Sequence, residues 1–226
     1  MPYRRTLRPA LAFALAILVL PVLVSPARGA KKDAPRPAKS IRVAVLPYVN
    51  TSPEVGATKM MDDIVREQVK TVDRSRATFL LPSDVERILT DQNKVDLVYR
   101  ITDKWAKNST LDSTAIGGLD SLLQVDAILC LKISEWETHR VPVIGAGQSS
   151  ATVALALAAY DVRSKAKIWG KNPREQRFAA ELDASSSNVN YDETGFIQRK
   201  SDSSPPRIEA VAGDLVRDAL KTFPNK

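Results

Sequence analysis

Ile41-Arg42-Val43-Ala44-Val45-Leu46-Pro47-Tyr48 and Asp126-Ala127-Ile128-Leu129-Cys130-Leu131-Lys132-Ile133 decide the fold. Each is an almost uniformly apolar run of strand length, the pattern of a strand buried on both faces of a sheet that carries helices above and below. After the first run, Met61, Ile64, Val65, Val69 and Val72 recur at three- and four-residue steps. Asp62, Asp63, Arg66, Glu67 and Lys70 lie opposite, which predicts an amphipathic helix with a charged outer face. Asn50-Thr51-Ser52-Pro53 supplies its start, with Ser52 as N-cap and Pro53 at the first helical position. Thr78-Phe79-Leu80-Leu81 reads as a second strand and Ser83-Asp84-Val85-Glu86 as a capping box opening a short helix. Val95, Val98, Ile101 and Trp105 predict a further helix and 108–111 a turn. Residues 112–123 predict another helix, weakened by Gly117-Gly118.

Beyond the 126–133 strand the pattern changes. Residues 151–160 are a long apolar run, joined to Lys167-Ile168-Trp169 by the tight polar connection Asp161-Val162-Arg163-Ser164. Strands joined that closely must be antiparallel. Residues 177–182 read as a further strand or as the tail of this hairpin. Residues 184–206, rich in Ser, Asn and Asp, predict an exposed, flexible polar loop ended by Pro205-Pro206. Ile208, Val211, Ala212, Leu215, Val216, Ala219 and Leu220 then mark a closing amphipathic helix. The expected fold is α/β: a mixed sheet with early parallel βαβ crossovers, a late antiparallel hairpin and a C-terminal amphipathic helix, all in a single domain over 41–226.

Ahead of this body, Arg4, Arg5 and Arg8 precede an apolar run over 11–24, and Ser25-Pro26-Ala27-Arg28-Gly29-Ala30 follows. That order predicts a signal peptide over 1–30, cleaved after Ala27, Gly29 or Ala30, and a periplasmic mature chain. The run is shorter than the roughly 20 residues that a spanning helix needs, so no transmembrane helix is expected in the mature chain. The only cysteine, Cys130, is far from the cleavage region, so no lipid anchor is expected either. Residues 31–40 carry Lys31, Lys32, Arg36 and Lys39 with Pro35 and Pro37, a basic linker.

The 226 residues hold 33 Lys and Arg against 26 Asp and Glu, a formal charge of +7. Four of those units belong to the leader and three to the linker, leaving 41–226 with 25 basic and 25 acidic groups. A balanced body offers no footprint for a nucleic-acid partner.

Candidate chemistry is sparse. Cys130 and His139 are the only residues of their kind, which excludes a disulfide framework and any site built on two imidazoles. Cys130 lies inside a strand and reads as a core residue, and no Gly-x-Ser-x-Gly elbow presents a serine nucleophile to His139. Gly145-Ala146-Gly147-Gln148-Ser149-Ser150 lacks the Lys-Ser/Thr ending of a P-loop and precedes a strand rather than a helix. Asn50-Thr51-Ser52 and Asn108-Ser109-Thr110 fit the glycosylation acceptor pattern, which chance also supplies. Glu135 and Glu137 bracket Trp136 at strand spacing, placing both carboxylates on one face and the indole on the other. An acidic edge beside an aromatic suits sugar or peptide binding, and a plain sheet rim is the alternative. No enzyme activity, cofactor or metal is expected.

Four segments in order carry a family resemblance: Val43-Ala44-Val45-Leu46-Pro47-Tyr48-Val49-Asn50-Thr51-Ser52, Leu81-Pro82-Ser83-Asp84-Val85, Val125-Asp126-Ala127-Ile128-Leu129, and Ala159-Tyr160-Asp161-Val162 with Ile168-Trp169-Gly170. Over about 41–170 the chain resembles the periplasmic domains related to the amino-terminal domain of TolB, the curli secretion channel CsgG and the neisserial-type lipoproteins grouped with them. Leu123-Gln124-Val125 in place of the usual Gly-Ala, and Ser164-Lys165-Ala166-Lys167 without a hairpin glycine, depart from that pattern. The resemblance implies a non-enzymatic accessory or scaffold protein of the bacterial envelope, binding other envelope proteins or assembling into an oligomer. On it, Asn50, Thr51 and Ser52 stand at the family's first loop, and Asp161 and Trp169 at its hairpin. The alternatives are an exported carbohydrate or peptidoglycan binder or hydrolase at Glu135, Trp136 and Glu137, and a regulator of a cell-wall synthase. Channel activity is not expected, because 184–206 is too polar to form membrane-inserting hairpins.

Overall fold

In the computed structural model, residues 40–111, 114, 116–141, 148–179, 190–191, 197–198 and 204–224 are described. The expected signal peptide over 1–30 and nearly all of the expected linker lie outside them, as do most of 184–206 and residues 142–147. Along the chain run β1 (Ile41–Val45), β2 (Val49–Asn50), α1 (Ala57–Gln68), β3 (Ala77–Leu80), α2 (Pro82–Asp91), α3 (Val95–Asn108), α4 (Leu119–Leu123), β4 (Ala127–His139), β5 (Ser150–Asp161), β6 (Lys167–Lys171), β7 (Arg174–Phe178), β8 (Asn190–Tyr191), β9 (Ile197–Gln198) and α5 (Ile208–Lys221).

The main sheet has the order β3-β1-β4-β5-β6, with β2 also on β4 and β7 also on β5. Pairings among β1, β2, β3 and β4 are parallel, and β5 is antiparallel to β4, β6 and β7. The expected mixed sheet is therefore what forms, with β8 and β9 pairing separately.

The quoted runs are buried on both faces, as their composition requires. Val43, Val45, Leu129, Leu131 and Ile133 point into a core closed by α1 and α5. Ala44, Leu46, Ile128 and Cys130 point into a second core closed by α2, α3 and α4. At one end of the first core, Phe223 lies between Phe79 and Trp169, edge-on to both at centroid distances of 5.7 and 5.2 Å. Those rings come from the two outer strands, so the C-terminal segment ties opposite edges of the sheet together.

Three helix starts differ from expectation. Helix α1 opens at Ala57 with Gly56 as a cap that makes no side-chain bond. Ser52 is unavailable, because its hydroxyl and amide both donate to Asn50 Oδ1, at 2.7 and 3.0 Å. Helix α2 begins at Pro82, one residue before the expected cap. Leu81 is its extended N-cap residue, whose carbonyl accepts from Asp84 and Val85, and no capping box forms. Proline lacks the amide a first helical residue cannot use and has the right fixed φ, so it outcompetes Ser83 for the start. The helix expected over 112–123 is reduced among the described residues to α4, because Gly118 adopts φ +88, a left-handed value that ends helical continuity. Helix α3 ends at Asn108 on left-handed Ser109, at the start of the expected 108–111 turn. Strand β7 decides the 177–182 alternative for the tail of the hairpin as far as Phe178: it begins at Arg174 and pairs with β5 in the register of β6, continuing that edge past a break at Asn172-Pro173, while 180–182 lie outside the described residues.

Candidate functional site

The β4–β5 hairpin is the longest feature of the sheet, and its two faces are covered unequally. On the α1/α5 side the core continues past Ile133 to Trp136, Ala151 and Val153. On the other side the apolar core stops at Cys130 and Ala156. Lys132 marks the limit, its ammonium donating to Ser109 Oγ at the end of α3. Beyond it, β4, β5 and β7 present Glu135-Ala154-Arg174, Glu137-Thr152-Gln176 and His139-Ser150-Phe178 as successive cross-strand rows. Small residues, Ser150, Thr152 and Ala154, form the centre of each row and are themselves buried, with longer ones at its flanks, Glu135 half-buried and Phe178 55% exposed. Arg174 Nε donates to both oxygens of Glu135, at 3.2 and 2.9 Å across Ala154. Gln176 Nε2 donates to Ser150 Oγ at 3.3 Å.

A bulge creates this arrangement. The β4–β5 register shifts between Ile133 and Glu135, so Trp136 pairs with Val153 and shares the core face of Ile133. The sequence-derived alternation of Glu135 and Glu137 against Trp136 holds locally. The indole, however, is only 4% exposed and packs in the core, so it does not form an aromatic platform beside the carboxylates. Ser134, the extra residue, donates its hydroxyl to the Ala154 carbonyl at 3.1 Å. A phase signal was present in the sequence: Leu129, Leu131 and Ile133 step by two and the next large apolar residue steps by three.

The other candidate residues meet the hairpin at this bulge. Asn50 is paired to Ile133, and both the amide and the hydroxyl of Thr51 donate to the Ile133 carbonyl, at 2.9 and 3.0 Å. Asn50 Nδ2 donates to Glu54 O at 2.7 Å while its Oδ1 receives Ser52. Asn50, Thr51 and Ser52 thus form a hydrogen-bonded clip that pins the β2–α1 loop to the bulge. The loop's tip, Val55, is 90% exposed. Tyr48, just before β2, donates to Asp62 of α1 at 3.3 Å, and burial pushes its phenol pKa well up.

Asp161 receives the amides of Arg163 and Ser164 and shapes the β5–β6 turn. Trp169 packs on Phe223, its Nε1 donating to Thr222 Oγ1 at 3.3 Å. Cys130 is fully enclosed, and burial pushes its thiol pKa far up, which disfavours the thiolate needed for nucleophilic or metal chemistry. It pairs with Ala158 and His139 with Ser150, nine residues apart along one strand, so they do not meet. Among the described residues no group of three His, Cys, Asp or Glu is arranged to hold a metal, and no helix is long and apolar enough to cross a membrane.

Sequence reasoning missed two concavities. One, of about 600 Å³, lies at the start of β1 between Arg42, Thr78, Asp120, Asp126 and Arg163. Asp126 is already committed there, accepting the Arg42 amide at 3.0 Å. The other, between α1 and α5, is about 520 Å³. Each draws residues from distant parts of the chain, so no local motif announces it.

No protein-family model matches this chain, and no curated protein matches it. Among solved structures it is similar to lipoprotein GNA1162 from Neisseria meningitidis, at 16% identity over 64% of this chain and 88% of that one, with a TM-score of 0.43. It is also similar to PelC from Paraburkholderia phytofirmans, solved as a dodecamer, at 12% identity over 84% and 91%, with a TM-score of 0.45. The C-terminal domain of LpoB from Salmonella enterica follows at 11% identity over 64% and 88%, with a TM-score of 0.36. At TM-scores of 0.45 and below, these likenesses assign neither family nor function to this chain.

Proposed function

We propose that this chain is a non-enzymatic accessory protein of the bacterial cell envelope, exported to the periplasm, where it acts by holding other proteins. The half-covered β4–β5–β7 ribbon carries this reading. A sheet face that continues beyond the described helices, with the buried small residues Ser150, Thr152 and Ala154 along its centre and the exposed Glu137, Gln176 and Phe178 at its sides, offers those flanks to another surface. The leader-like N-terminus, the balanced charge of 41–226 and the sequence-pattern resemblance to TolB- and CsgG-type domains support the same reading. Glu135 is engaged by Arg174 and Trp136 is buried, which weakens the carbohydrate alternative at that position.

Producing the full chain in a bacterium with a photo-crosslinking side chain at Gln176 or Phe178 tests this. The expected result is a shortened chain in the periplasmic fraction, joined to a discrete envelope protein from either position but not from Arg87 on the outside of α2. Retention in the cytoplasm, or crosslinking equal at all three positions, would refute it.

A further inference from the structure

The groove between α1 and α5 has the build of a helix-docking site. Met60 and Ile64 from α1 and Ala210 and Gly213 from α5 form its floor, and Asp63 and Glu67 stand on one wall with Glu209 and Asp214 on the other. These carboxylates are not equally committed. Glu67 is paired with Lys70 at 2.6 Å, and Asp214 with Arg177 at 2.7 Å and with Arg217. Asp63 and Glu209 have no ion pair within 4 Å among the described residues. Gln68 lines the groove as well, its side-chain amide nitrogen facing Gly213.

We infer that this groove binds a basic amphipathic helix of a partner protein. An apolar floor between two carboxylate walls calls for an apolar stripe flanked on both sides by cations. A helix presents that pattern along one face, whereas a strand sends alternate side chains to opposite faces. The length fits as well: from Met60 to Glu67 the α1 wall runs about 10 Å, two turns of an occupant laid along it. Because 41–226 is electrically balanced, this concentration of acid is a local property of the groove and not a reflection of overall charge.

The inference rests on the reading of the chain as a protein-binding accessory. Its test uses purified chain and synthetic peptide, so its failure would leave the crosslinking result at the hairpin untouched. The chain contains three methionines, Met1, Met60 and Met61. Met60 lines the groove, and its neighbour Met61 is fully buried, so their methyl NMR signals form a reporter and an internal control. The probe is an 18-residue amphipathic peptide of Leu and Lys with helical spacing, compared with the same peptide carrying Glu for every Lys. The expected result is a saturable shift of the Met60 methyl with the Leu/Lys peptide alone, while the Met61 methyl stays in place. The double substitution Asp63→Asn, Glu209→Gln should weaken that binding by about tenfold, as should raising the salt from about 0.05 to about 0.5 M, which shortens the screening length about threefold. A Met60 methyl that ignores the Leu/Lys peptide, or answers the Leu/Glu peptide equally, would overturn the inference. So would one that shifts with protein concentration alone, since a second copy would then be the occupant.

Discussion

Replacing Trp136 with alanine separates a buried structural indole from a surface one. The side chain is 4% exposed, pairs across the ladder with Val153 and belongs to the core closed by α1 and α5. A tryptophan buries up to about 250 Å², and at about 25 cal/mol per Å² full burial contributes up to about 6 kcal/mol. Measured truncations of large aromatics in cores cost about 3–5 kcal/mol, because the cavity left behind relaxes only in part. The expected loss for Trp136→Ala is therefore about 4 kcal/mol, a large share of the roughly 5–15 kcal/mol by which domains are stable. Urea unfolding followed by far-UV circular dichroism measures it, with Glu137→Ala as the control. Glu137 is exposed on the uncovered face, and its truncation should stay within about 0.5 kcal/mol. A Trp136→Ala loss below about 1 kcal/mol, or one equal to that of Glu137→Ala, would refute the assignment of the indole to the core and with it the bulge that puts it there.

Two further outcomes follow from the same geometry. Asn50→Ala removes the bonds to Glu54 O and to the Ser52 amide and hydroxyl, and should cost about 1–2 kcal/mol by urea unfolding, against about 0.5–1 kcal/mol for Thr51→Val, which keeps its backbone bond to Ile133. The Arg177 hydrogen bond holds the Asp214 carboxyl below the usual carboxylate range. Its contribution is therefore present above the ordinary aspartate pKa near 3.8 and is lost as pH falls through the lower folded value. Asp214→Asn should accordingly flatten the fall in stability below about pH 4 and leave a modest, salt-sensitive difference at neutral pH, since this pair is partly exposed.

Much of the sheet was legible because burial on both faces leaves a uniform apolar mark, as in Val43-Ala44-Val45-Leu46, whose alternate residues enter opposite cores. The amphipathic helices were legible for the related reason that each buries one stripe, with Met61 and Val65 in α1 and Val211, Leu215 and Val216 in α5. Helix starts were less so, because more than one residue competes for the same role. Pro82 displaced Ser83, and Asn50 captured the hydroxyl of Ser52. The candidate residues were found in the right places without their relation being visible. That Thr51 fastens the bulge preceding Glu135 depends on β2 pairing in parallel with β4, a contact across more than eighty residues that leaves no local trace.

The bulge and the sequence around it require each other. With Ser134 in regular pairing and no bulge, strict alternation from Ile133 would turn Glu135 and Glu137 toward the core of α1 and α5 and put Trp136 on the opposite face. That register buries two carboxylates with no cation to meet them and exposes the indole, both unfavourable by several kcal/mol on the order of an unpaired buried charge. With the bulge, the core keeps its apolar lining to the end of the hairpin while the opposite face becomes polar just where α3 ends at Ser109. Lys132, bonded to that helix end, and Arg174, bonded to Glu135, then occupy the boundary between the covered and uncovered halves. The Thr51 clip fixes the bulge from the neighbouring strand, so the uncovered face is held in one register by contacts on its far side. A face built this way should be rigid in the free protein, which lowers the ordering cost of any association there.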